Sequence, residues 1–147
     1  MNERDLFINQ GYNCAEAVLA GVAESLDHAS AASGFGGGIG GSGATCGCVT
    51  GAIMGMGIAL GVREGCPTVP YSEFRPLVTE FMQAFASEFG STDCTELLEE
   101  GLRRSGLDPD AYHRSGDRKM LCAGFVDGAV EIAAGIIAER GEADVVG

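Results

Sequence analysis

The sequence predicts an all-α, single-domain bundle of about four to six helices, and three observations carry that prediction. Apolar residues recur at three- and four-residue spacing in every apolar stretch, no segment keeps the strict alternation of a half-buried strand, and Gly-containing breaks separate the stretches. The 147 residues, 46% of them apolar, suffice for one buried core, so residues 1–147 are read as one domain.

Taken in order, a short amphipathic opening covers residues 3–8, and Gly11-Tyr12-Asn13 breaks it. A helix from Cys14 to about Leu26 follows, with Cys14, Val18, Val22 and Leu26 on its inward stripe. After a loop of Ala, Ser and Gly, a nearly uncharged helix runs from Cys46 to about Leu60. Gly47, Gly51 and Gly55 repeat along it like a membrane packing motif, but it is too short to span hydrocarbon and reads as a central helix that its neighbours approach over glycine. Residues 65–70 form a rigid linker with Cys66 as a loop thiol. The next helix, about 73–89, carries Phe74, Leu77, Val78, Phe81, Met82 and Phe85 on one stripe and places Pro76 in its first turn. A shorter helix over 94–104 buries Leu97, Leu98 and Leu102, with Glu99 and Glu100 facing Arg103 and Arg104. Asp108-Pro109 marks a brief helical turn, and the last helix spans about 118–140 until Gly141 stops it.

Nine Lys and Arg against 21 Asp and Glu leave a net charge of −12, which makes nucleic acid or an anionic membrane surface a poor partner. The N-terminus is polar and acidic, without the basic start and apolar run of a secretory signal, so a cytoplasmic location is expected. In a reducing compartment the six cysteines are more apt to bind metal or cycle through redox states than to staple the fold.

The placement of those thiols is regular. Cys14, Cys46 and Cys94 each follow a good N-cap residue (Asn13, Thr45 and Asp93), and Glu16 and Glu96 complete a capping-box pattern in two cases. Each of the three also lies on an apolar stripe, and Cys122 shares one with Phe125 and Val126 near the start of the last helix. A helix N-terminus offers unpaired N–H groups and about half a positive charge, which favour a thiolate or an anionic cluster. Against this, cysteine also packs as a small core hydrophobe, and the nearby Glu16, Asp93 and Glu96 disfavour thiolate. Cys48 and Cys66 stand outside this set, because residues two apart on a regular helix do not share a face and Cys66 lies in a linker. The pattern Gly36-x-Gly38-x-x-Gly41 lacks a preceding strand and a βαβ unit, so the run is read as backbone wrapping the mouth of the Cys46 helix or as a crossover. No Ser-His-Asp set or H-E-x-x-H is present, and His28 and His113 read as solvated.

Gly11-Tyr12-Asn13-Cys14-Ala15-Glu16, Phe35-Gly36-Gly37-Gly38, Cys46-Gly47-Cys48-Val49-Thr50-Gly51, Cys94 and Cys122 together make the chain resemble the C_GCAxxG_C_C family of redox-active proteins. The resemblance implies that Cys14, Cys46, Cys94 and Cys122 are the family's four signature cysteines. It departs at Cys48, where the motif has Ala. The family is in turn similar to the N-terminal domain of split-Soret cytochromes, for which a cysteine-ligated iron–sulfur cluster has been proposed, and it implies a redox partner among oxidoreductases.

The expectation is therefore a redox or electron-transfer protein whose Cys14, Cys46, Cys94 and Cys122 ligate an iron–sulfur cluster, four thiolates being the usual set. A metal-free alternative uses the same thiols in disulfide exchange, with Cys46 attacking because its helix start is the least acidic, and Cys14 among the redox thiols. A helical interaction module with a structural four-cysteine zinc site is the third reading. Helices meeting over small residues also allow a homodimer.

Overall fold

The computed structural model describes residues 2–61 and 69–146, with side chains through Arg140; Cys66 lies outside these residues. It is all-helical: α1 (Glu3–Asn9), α2 (Cys14–Ala23), a 3-10 segment (Ala29–Phe35), α3 (Gly47–Ala59), α4 (Tyr71–Phe89), α5 (Cys94–Ser105), α6 (Pro109–Ser115) and α7 (Asp117–Val146). That is eight helical elements among the described residues, more than the expected four to six. The excess consists of short pieces fixed locally. Asn2 caps α1 by accepting from the Asp5 N–H, Asp108 caps α6 by accepting from the Ala111 N–H, and the Ala-Ser-rich crossover winds into the 3-10 segment.

Boundaries also shift for identifiable reasons. Helix α2 stops at Ala23, not near Leu26, because Glu24 turns left-handed at φ 55°. Helix α4 starts at Tyr71, directly after Pro70, so Pro76 falls in its second turn, not its first. Gly141 does not end α7, which continues to Val146; a single helical glycine costs only about 1 kcal/mol relative to Ala. In α5, Glu100 takes both Arg103 and Arg104.

Two packing features position the site. The first is the column of glycines on α3, which lies against α2. A Cβ at Gly51 would collide with the Ala15 carbonyl oxygen, and one at Gly55 would stand 2.6 Å from the Val22 Cβ. The α3 glycines are thus used inside the chain, bringing the two helix starts together. The second feature is α7, which packs against all six other α-helices. By length and apolarity alone its residues Asp117–Arg140 are sufficient to cross a membrane; here they bury Phe125, Val126, Ala129, Ala133 and Ile136 in the core. An ion pair of Arg4 with Asp127 ties α1 to it, and Arg140 pairs with Glu73 of α4 at 2.6 Å.

Phe81 and Phe85 of α4 are fully buried, and burying each contributes about 2–3 kcal/mol. Their rings continue through Phe89 to Phe125 of α7, with centroids 4.8 Å apart for Phe85–Phe89 and 5.1 Å for Phe89–Phe125. Phe125 also borders the cavity described next, so the aromatic core and the site share a wall.

Candidate functional site

Helix starts bring the cysteines together. Asn13 makes a full capping box: its side chain accepts from the Glu16 N–H, and its own N–H donates to the Glu16 carboxylate. That carboxylate, which the sequence set against the neighbouring thiolate, is occupied by the cap. Asp93 accepts from the Glu96 N–H, but its N–H donates to Ser91 Oγ, whose hydroxyl reaches Glu96 at 2.7 Å. The box around Cys94 is closed through a serine.

Cys46 departs from the sequence reading. It is itself the N-cap of α3, with φ −55° and ψ 135°, and no side chain caps that helix. Thr45 instead forms an isolated antiparallel bridge with Asp93. The Cys46 N–H donates to the Thr92 carbonyl at 2.8 Å and the Cys94 N–H to the Ala44 carbonyl at 2.7 Å, so the starts of α3 and α5 are zipped side by side.

The glycine run between them is ordered. Gly37, Gly38, Ile39, Gly40, Gly41 and Gly43 all take positive φ, and successive N–H groups donate back to the carbonyls of Gly34, Gly36, Gly37 and Gly38. At Gly38, φ +70°, a Cβ would stand 2.7 Å from both the Ala44 nitrogen and the Cys94 Cβ, so the loop presses bare backbone onto that cysteine. The Gly37 N–H donates to the Cys14 sulfur. The loop therefore wraps the mouth of the site, as the glycines suggested, with its donor aimed at Cys14 and not at Cys46.

Cys14, Cys46, Cys94 and Cys122 line one cavity of about 190 Å³, together with Cys48, Phe7, Leu97, Leu98, Phe125 and Arg118. Its surface is almost wholly apolar apart from the thiols. All five described cysteines are free thiols. Cys48, which sequence spacing set aside, is inside the site and fully buried. No sequence signal marks it: the non-helical ψ of Cys46 takes that residue out of helical register and lets Cys46 and Cys48 meet.

Electrostatically the thiols divide. The Cys48 thiol donates to the Cys14 sulfur, and the N–H groups of Gly37, Ala15 and Cys14 itself add to it; together they outweigh burial and lower Cys14 to about 6. Cys46 is also lowered, first by the Cys48 thiol and then by the N–H groups of Cys48 and Val49. Cys48 is pushed up because its one thiol proton is shared between the Cys14 and Cys46 sulfurs and because it is wholly buried. Burial raises Cys94, with negative charge on Cys46 and Cys14 adding to it. Cys122 is pushed up to about 12 by burial and then by Cys14, Cys46 and Cys94, while Arg118 pulls the other way.

A cavity of 150 Å³ lined by apolar side chains holds a benzene-sized guest, so this one has room for a compact prosthetic group. Adding a Cβ at Gly47 would close it: the atom would stand 2.6 Å from Cys14 Sγ and 2.9 Å from the Phe35 carbonyl oxygen. Four sulfurs around a single tetrahedral zinc would lie about 3.8 Å from one another. Among the described residues no group of three or more His, Cys, Asp or Glu converges tightly enough to hold one metal ion. The thiols stand around a hollow and do not close on a point. His28 and His113 are both exposed.

A family model described as "Putative redox-active protein (C_GCAxxG_C_C)" matches residues 12–136. Neither the curated proteins nor the solved structures contain a match to this sequence. With the match covering every described cysteine and the loop that wraps them, the chain belongs to the C_GCAxxG_C_C family.

Proposed function

We propose that the chain is a cytoplasmic electron-transfer protein in which Cys14, Cys46, Cys94 and Cys122 hold an iron–sulfur cluster. The observation that carries this reading is the one cavity those four thiols line, large enough for a compact group and flanked by close-packed glycine backbone. Soft thiolates are the donors such a cluster takes, and bound there it supplies one-electron chemistry. The chain's own part is to bind and to tune. The starts of α2 and α3 present Cys14 and Cys46 with depressed pKa values, ready to bind as thiolates. Cys94 and Cys122 hold their protons more tightly and release them on binding metal, so loading is favoured as pH rises. Backbone N–H groups of the loop and of the helix starts point at sulfur, which favours the more negative, reduced state. Phe7, Leu97, Leu98 and Phe125 keep water out.

A second reading is favoured by the hydrogen bonds running from Cys48 to Cys14 and Cys46. Without metal, the Cys14 thiolate attacks a disulfide-bearing oxidant and releases one of its sulfurs as thiolate. Cys46 then displaces the other, leaving a Cys14–Cys46 disulfide and two reduced sulfurs on the oxidant. On this reading the sequence-based preference for Cys46 as attacker gives way to Cys14, which collects more donors.

Purification without oxygen, followed by an absorption spectrum and analysis of iron, zinc and acid-labile sulfide, separates the readings. Visible charge-transfer bands with matching iron and sulfide are expected. A colourless, metal-free protein that gains a disulfide on oxidation supports the second reading, and stoichiometric zinc without iron contradicts both.

A further inference from the structure

We propose that the cationic surface around Arg118 and Lys119 is where an acidic redox partner protein docks, beside Cys122. This rests on the redox reading above and adds the face of the molecule through which electrons pass.

The cations of this chain are unevenly used. Of the eight described Lys and Arg residues, Arg4, Arg103, Arg104 and Arg140 are spent in ion pairs with Asp127, Glu100 and Glu73. Of the four that make no ion pair, Arg114, Arg118 and Lys119 fall within six residues at the turn from α6 to α7, and all three are exposed; Arg75 on α4 is the fourth. Exposed His113 lies beside them, the positive end of the 30-residue α7 points into the same region, and Asp117 is the one acid within the turn. Lys119 sits over the Phe7 ring at 5.6 Å, a contact that leaves its charge unneutralised.

In a chain of net charge −12 this is a local concentration of positive charge, and it coincides with the redox site. A surface cavity of about 210 Å³ is lined by His113, Gly116, Arg118, Lys119 and Cys122. Cys122 and Arg118 border both this cavity and the cysteine cavity, so Cys122 is the partition between them. A partner seated here is separated from the centre by one side chain. An acidic face is attracted here and repelled elsewhere, which fixes its orientation as well as its approach. With the proposed iron–sulfur cluster bound in its oxidised state, one electron would pass to it from the reduced partner.

The test follows electron transfer by stopped flow from a reduced plant-type ferredoxin, a small acidic one-electron carrier, to the oxidised full-length protein. Three proteins are compared: the parent chain, R118E/K119E, and R103E/R104E, which makes the same change in net charge on α5. The expected result is about a tenfold slower reaction at low salt for R118E/K119E, less than a twofold change for R103E/R104E, and convergence of all three as salt is raised. Equal slowing in both variants, or none in either, overturns the docking surface. The extent of reduction by dithionite, read on each protein, corrects for any loss of the centre itself. If dithionite reduces nothing in the parent chain, the cluster reading fails, and the docking inference falls with it.

Discussion

On one wall of the cysteine cavity, where α2 and α3 begin, Cys14 and Cys46 face a thiol donor and a ring of backbone N–H groups, and their pKa values fall. On the opposite wall, built by α5 and α7, Cys94 and Cys122 face apolar side chains and the charge of the first pair, and their pKa values rise. The residue type is the same, and so is the cavity. What differs is how each wall is made. The α2–α3 wall is a close backbone approach over glycine, which delivers N–H groups to sulfur; the α5–α7 wall is side-chain packing, which desolvates its thiols and leaves them facing the charge of the first pair. A helix start is thus insufficient to activate a cysteine: Cys94 sits at one, under a well-formed cap, and is still raised.

The largest effect that sharpens this contrast is chemical. At pH 7 in the metal-free, reduced protein, a thiol at about 6 is mostly ionised while one at about 12 is ionised in roughly one molecule in a hundred thousand. Lower intrinsic nucleophilicity at low pKa offsets part of that, so Cys14 is expected to alkylate about a hundredfold faster than Cys122. Timed iodoacetamide labelling with peptide mass spectrometry measures it, and equal rates would erase the contrast.

Next comes backbone approach. Gly51→Ala drives a methyl into the Ala15 carbonyl oxygen, which has no way to yield, and is expected to cost about 1–3 kcal/mol. Gly124→Ala, on α7 two residues beyond Cys122, meets nothing within 4 Å and is expected to stabilise by up to about 1 kcal/mol. Urea unfolding of the two variants checks this, and matching shifts would contradict the proposed difference between the walls.

The walls also respond oppositely to pH. Cys14 is depressed from 9.0 to about 6, so its contribution to stability is complete above pH 9 and is lost as pH falls through 6. Cys122 is raised from 9.0 to about 12, so its contribution is complete below pH 9 and is lost as pH rises through 12. In the metal-free protein, Cys14→Ala is expected to flatten the acid side of the stability profile and Cys122→Ala the alkaline side. Unfolding midpoints measured at pH 6, 9 and 11 show whether each variant acts on its own side. The smallest effect is at the cap: Asp93→Ala removes the acceptor for the Glu96 N–H and lowers stability by about 1 kcal/mol, read as a shift in Tm.

What was legible in the sequence was what is local. Asn13 with Glu16, and Asp93 with Glu96, announce two helix starts within four residues each, and the α3 glycine column announces a close neighbour. The pairing of residues 43–46 with 92–95 joins segments about fifty positions apart mainly through backbone, helped by the Thr95 hydroxyl on the Gly43 carbonyl, and a single threonine is no pattern that would record it. That pairing is what makes Cys46 a cap instead of a first helical residue, and it is why Cys48 looked misplaced. The end of α2 was missed for a related reason: Glu24 takes a left-handed conformation that the sequence would assign to glycine or asparagine.

The measurement that tests the central claim most directly is iron and acid-labile sulfide per chain in five variants purified without oxygen: Cys14→Ser, Cys46→Ser, Cys94→Ser, Cys122→Ser and Cys48→Ala. Each of the first four is expected to lose most of its iron and sulfide, and Cys48→Ala, which leaves the four proposed ligands in place, is expected to retain both. Full iron and sulfide in any of the first four, or their loss in Cys48→Ala alone, would contradict that claim.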